Sequence, residues 1–155
     1  MRAAGKQFQD ATFFLYLGRH VGLPVALEGA LKMKEISYIP TDAYAAGEMK
    51  HGPIALLDEH TPVVGVATES PVLDKMLSNL SEVRARGAHV IAVATEGNEQ
   101  VAEYAEQVVL VPRTDWLLAP LLAIVPLQLL AYNVARARGL NVDQPRNLAK
   151  TVTVE

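Results

Sequence analysis

The sequence has no cysteine among its 155 residues. That removes disulfides, thiol nucleophiles and cysteine-ligated zinc from consideration. There is no run of basic residues, and a formal charge of −3 offers no electrostatic footprint for nucleic acid. Neither a G-x-G-x-x-G fingerprint nor a P-loop occurs, and no residues are spaced to ligate a metal. Aromatic residues are scarce, at 6%. Residues 1–10 hold no continuous apolar stretch of the kind that opens a signal peptide.

What is present describes a folded core. Hydrophobic residues make up 50% of the chain and charged residues 20%, the balance of a packed globular domain rather than a disordered one. This length predicts one compact domain, and the wealth of alanine, leucine and valine suits buried parallel strands covered by helices. The longest apolar segment, residues 116–134, has the length of a membrane span. It contains Gln128, Asn133 and two prolines and runs on to Arg136 and Arg138, so it is expected to be a buried helix of a soluble, cytoplasmic protein without membrane contact. Residues 1–10 read as the end of a helix leading straight into a strand, as in a piece of a larger polypeptide.

Four apolar runs have strand character, at residues 12–17, 61–67, 89–94 and 107–111. Helical patterns separate them, at residues 24–39, 71–86, 98–106 and 116–138. This alternation predicts parallel strands with right-handed crossovers, hence a three-layer α/β/α sandwich with a mostly parallel sheet of four to five strands. Gly18 and Gly87 punctuate the first strand and the second helix. Two segments break the rhythm: residues 40–60, which read as an irregular loop, and residues 140–155, an irregular tail. Long irregular segments in compact domains are often functional, and ligands gather at the carboxyl ends of such strands.

Three constellations have the residue types for chemistry. Glu28, Lys32 and Glu35 recur at i, i+4 and i+7, within an arc of roughly 60° on a helix. A solvated face with an i,i+4 ion pair explains that spacing. So does a polar pocket in a buried surface, because Val25 and Ile36 flank the trio on one side and Leu27, Leu31 and Tyr38 on the other. Lys34, Ser37 and Ala30 are expected to form the separate solvent face. The second constellation is His51, set in a loop between Lys50 and a Gly-Pro turn that could aim its ring. His20, His60 and His89 lack such a setting and read as polar surface. The third is the tail with Lys150, which lies over a site if ordered and in water if frayed. Ser70, ahead of a helix, reads as an N-terminal cap more readily than as part of an anion site, because Glu69 beside it would repel an anion.

Four stretches, ALEGALKMKEISYI (Ala26 to Ile39), YAAGEMKHGPIAL (Tyr44 to Leu56), VPLQLLAY (Val125 to Tyr132) and DQPRNLAKTVTVE (Asp143 to Glu155), occur in this order. Together they resemble the sugar isomerase (SIS) region of the glucosamine-6-phosphate synthase family. The resemblance implies a flavodoxin-like sandwich, with residues 1–139 as the second of two SIS half-domains and residues 140–155 as a tail covering the active site. The glutaminase domain and the first SIS half-domain of that family are absent from this chain, so by itself it is expected to turn over little or nothing. The implied activity is the isomerase part of an enzyme that makes glucosamine-6-phosphate and glutamate from fructose-6-phosphate and glutamine, for amino-sugar synthesis, with no metal or organic cofactor.

By the same resemblance, Glu35 moves a proton between C1 and C2, and Lys32 stabilises charge on the enolate-like intermediate. Glu28 orients Lys32, and Ala149 adjoins the substrate. His51 assists ring opening in the neighbouring subunit, which implies a homodimer, and Lys150 forms a Schiff base with the open keto sugar. Three alternatives remain at this point. One is a non-catalytic phosphosugar-sensing SIS module, which elsewhere comes with a helix-turn-helix that this chain lacks. Another is a different SIS aldose–ketose isomerase, which would have no use for the DQPRNLAK tail. The last is a half-domain that only supports the dimer.

Overall fold

The structure is a computed structural model and describes residues 1–148. Helix α1 spans Arg2–Gln7, followed by β1 (Phe14–Gly18), α2 (Gly22–Ser37) and β2 (Thr41–Ala45). Two 3-10 helices, Ala46–His51 and Pro53–Leu56, lead into β3 (Pro62–Ala67) and α3 (Leu73–Arg84). Then come β4 (His89–Thr95), a 3-10 turn at Glu99–Glu103, β5 (Gln107–Val111) and α4 (Ala119–Ala137). The five strands form one sheet in the order β2-β1-β3-β4-β5, and every neighbouring pair is parallel. This is the expected three-layer sandwich, in the strand order of flavodoxin-like folds.

Alternation along the strands feeds two cores. Phe14 and Tyr16 of β1, Val64 and Val66 of β3, and Ile91 and Val93 of β4 face the layer of α1, α2 and α4. Leu15, Leu17, Val63, Ala67, Val90, Ala92 and Ala94 face α3 and the 3-10 helices. A sheet buried on both sides needs apolar residues at successive positions, which is why β1, β3, β4 and β5 stand out in the sequence. Gly18 ends β1 because the chain turns back on itself there: a Cβ would sit 2.2 Å from the Gly22 carbonyl oxygen. Gly29 lets α2 settle onto α4 and β1, since a Cβ at that position would meet Leu127 at 2.6 Å and Tyr16 at 3.0 Å.

The structure departs from expectation in three elements. Residues 40–60 are not an irregular loop, for they contain β2 and both 3-10 helices. Strand β2 is an edge strand of sequence TDAYA, buried fully only at Thr41, so it lacks the apolar run that marks the others. Pairing with β1, from Phe14↔Thr41 to Gly18↔Ala45, holds it in place. The helix expected at residues 98–106 shrinks to Glu99–Glu103, where Val101 is the buried residue. Helix α4 is buried along one face only. Ala123, Leu127, Leu130, Ala131 and Val134 pack inward, while Leu121, Val125, Leu129 and Tyr132 are exposed, Leu121 at 70%. Among the described residues it is the one helix long and apolar enough to cross a membrane by length and composition.

Candidate active site

Small residues decide how α2 lies. Ala26, Gly29, Ala30, Met33 and Ser37 form its buried face, and Ser37 satisfies its hydroxyl by donating to the Met33 carbonyl at 2.7 Å. The expected solvent face is therefore corrected. Ala30 and Ser37 point inward and only Lys34 of that group is exposed, while Leu27 and Leu31 are the residues turned to solvent. Close helix–strand approach favours side chains with little bulk, so the leucines are displaced outward.

This rotation leaves Glu28, Lys32 and Glu35 on the flank of α2, half-buried, with side-chain exposures of 43%, 32% and 27%. The Lys32 ammonium donates to Glu35 Oε2 at 2.6 Å and lies 3.5 Å from Glu28 Oε1. The hydrogen bond to Glu35, outweighing partial desolvation, raises the Lys32 pKa above the ordinary lysine value, and both carboxylates add to the rise. Lys32 is thus a fixed cation held between two carboxylates on an open helix face.

The other expected site residues stand apart from the trio. His51 ends the 3-10 helix Ala46–His51 and is 73% exposed, its Nδ1 2.9 Å from Glu48 Oε2. Gly52 follows at φ 146°, a conformation that favours glycine and fixes the turn beyond the ring. His51 lies past the carboxyl end of β2, whereas the carboxyl end of α2 meets the amino edge of the sheet, where Phe14 donates to the Pro40 carbonyl. The length of β2, about 13 Å at 3.3 Å per residue, separates those two edges, so within one chain His51 does not join Glu35. His51 does lie beyond the carboxyl end of a strand, as expected of the 40–60 segment, whereas the charged trio belongs to the flank of a covering helix. Ala149 and Lys150 lie outside the described residues.

Ser70 does not cap α3. Val72 occupies the cap position without a side-chain bond, and Leu73 donates instead to the Ser70 backbone carbonyl at 3.2 Å. Glu69 pairs with Arg113 across the carboxyl edge at 2.7 Å. The remaining histidines are accounted for locally: His20 packs against Trp116 with ring centroids 4.9 Å apart, His89 pairs with Glu106 at 2.8 Å, and His60 is exposed beside Glu59.

One contact has no signal in the sequence. Tyr38 terminates α2 in the left-handed conformation, φ 60° and ψ 18°, which costs a residue other than glycine about 1–2 kcal/mol. Its hydroxyl accepts the backbone N–H of Arg146 at 2.9 Å, and the Arg146 guanidinium carbon lies 4.2 Å from the centroid of its ring. Helical periodicity exposes neither the strained cap nor a partner 108 residues away.

A family model described as SIS domain matches residues 8–138. Among curated proteins, the glutamine–fructose-6-phosphate aminotransferase [isomerizing] of Thermus thermophilus is 61% identical over 150 residues, 97% of this chain and 25% of that protein. The protein of the same name from Methanosarcina acetivorans is 56% identical over the whole of this chain and 25% of its own length. Among solved structures, the C-terminal domain of glucosamine-fructose-6-phosphate aminotransferase from Francisella tularensis superposes with a TM-score of 0.84 at 42% identity, covering 92% of this chain and 40% of that one. The chain spans about a quarter of the length of the curated relatives it matches.

Proposed function

This chain belongs to the SIS domain family, and we propose that it is the carboxyl-terminal, sugar-isomerising part of a glutamine–fructose-6-phosphate aminotransferase. In this proposal residues 1–139 are the second SIS half-domain and residues 140–155 the tail over the active site. A glutaminase domain and a first SIS half-domain complete the enzyme, which works as a cytoplasmic homodimer. Relatives of the same name, four times as long and more than half identical, support it. The single observation that carries the chemistry is the Glu28–Lys32–Glu35 trio, a cation fixed beside a carboxylate on a surface bordered by leucines.

The chemistry follows from that pairing. The Lys150 amine adds to the C2 ketone of open-chain fructose-6-phosphate and water leaves, giving an imine. Ammonia released from glutamine then takes the place of the lysine nitrogen. An imine or carbonyl at C2 acidifies the C1 hydrogen, so Glu35 removes a proton from C1 and returns one to C2, producing the amino aldose. Negative charge that develops between those carbons is stabilised by Lys32, a preorganised ammonium that needs no reorientation as the charge appears. Glu28 holds Lys32 from the side opposite Glu35, and Ala149 adjoins the sugar. The separation of His51 from the trio within one chain favours its action on the ring of a sugar bound in the partner subunit.

The test is Lys150→Ala in the longer enzyme with fructose-6-phosphate and borohydride. Reductive trapping of the sugar on the protein should disappear. Undiminished trapping would place the reacting amine elsewhere. Calorimetry of the isolated chain with fructose-6-phosphate should show weak binding or none, and tight binding would mean that the phosphate site lies in this half-domain.

A further inference from the structure

We infer that Tyr38 and Arg146 fasten the carboxyl-terminal segment to the end of α2, which makes Tyr38 a positioning residue for Lys150. This rests on the assignment of Lys150 as the amine that captures the sugar. Three observations meet at one point. Tyr38 occupies a left-handed cap where glycine or asparagine would be unstrained, and strain of that kind persists where the side chain has a task. That side chain is engaged twice by Arg146, hydroxyl to backbone N–H at 2.9 Å and ring to guanidinium at 4.2 Å. The guanidinium also sits at the carboxyl end of a 16-residue helix, where unpaired carbonyls favour a cation.

Fastening at this point shortens a tether. The Leu140 amide bonds back to the Ala135 carbonyl of α4 at 3.0 Å, so from that anchor Lys150 hangs on ten residues. From Arg146 it hangs on four, at most about 14 Å of chain. Tyr38 follows Glu35 by less than one helical turn, about 4.5 Å along the axis, and Lys32 by about 9 Å, so both lie inside that reach. With effective concentration falling as the −3/2 power of tether length, four residues in place of ten concentrate the amine over α2 roughly fourfold. Neither Tyr38 nor Arg146 needs to touch the sugar for this. The rate of imine formation is what changes.

The experiment measures the rate of borohydride-trapped adduct with fructose-6-phosphate in the full-length enzyme. Affinity for glucosamine-6-phosphate, which has no C2 ketone, is measured alongside. Tyr38→Gly deletes ring and hydroxyl while supplying the residue that a left-handed cap prefers, so α2 stays capped and the melting temperature is not lowered. Its trapping rate should fall about fourfold with product affinity unchanged. Arg146→Ala loses the guanidinium but keeps the backbone N–H that bonds the Tyr38 hydroxyl, so its rate should fall by a smaller factor, and Arg146→Lys, which keeps a cation over the ring, should retain most of the rate. Wild-type rates in both Tyr38→Gly and Arg146→Ala would overturn the proposal. If Tyr38→Gly fails to fold, Arg146→Ala, at an exposed residue, decides alone. Lys150→Ala separates the two levels. Trapping that survives it removes the amine assignment and the positioning role with it, whereas trapping that it abolishes but Tyr38→Gly and Arg146→Ala leave untouched removes the positioning role alone.

Discussion

The layer of α3 and the layer of α1, α2 and α4 both bury a continuous core against the sheet, but they finish their outer surfaces differently. Helix α3 turns Asp74, Lys75, Ser78, Ser81 and Arg84 to solvent, and Lys50 pairs with Glu82 on its flank at 2.9 Å. The opposite layer turns out Leu27 and Leu31 from α2 and Leu121, Val125, Leu129 and Tyr132 from α4. Single exposed leucines are ordinary, whereas rows of them on two packed helices mark a face that works when covered. The proposed catalytic trio lies in that same unfinished layer. One side of the molecule is mostly polar on its outside, whereas the other leaves rows of apolar side chains uncovered.

That contrast can be broken at defined positions. The largest effect is expected from Glu35→Gln in the longer enzyme, where isomerisation should fall by about 100- to 10,000-fold while the melting temperature and sugar affinity stay close to wild type. Retention of most activity would move the proton transfer to another group. On the scaffold side, Leu80→Ala removes a fully buried side chain that fills the space over Gly65. Urea denaturation should show a loss of about 2–5 kcal/mol, and a loss under 1 kcal/mol would mean that the α3 layer is loosely packed.

Tyr16→Phe should act in the other direction. The Tyr16 hydroxyl is buried and, among the described residues, has no hydrogen-bond partner, and burial pushes its pKa far upward, so it stays neutral. Its removal should raise stability by about 1 kcal/mol, read by the same denaturation, and a loss would reveal a hidden partner. The trio gives a smaller, pH-dependent effect. The folded state raises the Lys32 pKa, so the stability from its pairs is fully present at neutral pH and is lost only as pH rises above the ordinary lysine range. The loss should be about 0.3–0.5 kcal/mol per pair, absent in Lys32→Met. Smallest of all, Leu129→Gln on the outer row of α4 should change the stability of this chain by less than about 0.5 kcal/mol. A larger loss would show that this row is already covered.

Most of the sheet was legible because β1, β3 and β4 are covered on both faces and carry apolar residues at nearly every position, and the edge strand β5 keeps an apolar run after Gln107. Strand β2 was not, since an edge strand with Asp42 exposed carries no such run, and only pairing with β1 defines it. The trio was legible from its i, i+4, i+7 spacing, but the direction it faces was not. Hydropathy ranks Leu27 and Leu31 as core and Ser37 as surface, whereas packing against Tyr16 and Leu127 selects the small side chains of α2 for the interior. The Tyr38–Arg146 contact had no local signal. It depends on a backbone angle and on two segments 108 residues apart meeting, neither of which leaves a periodic trace.

The trio has one further consequence, for the polarity of whatever lies across it. Two carboxylates sharing one ammonium leave an excess of one negative charge on the flank of α2. A phosphate dianion held about 8 Å away would be opposed by about 1 kcal/mol in water, before salt screening. On the proposed function, a phosphosugar meeting this flank would lie with its uncharged C1–C2 end against the helix and its anionic tail pointing outward. The same three side chains proposed to move a proton would then also set which way round the sugar lies.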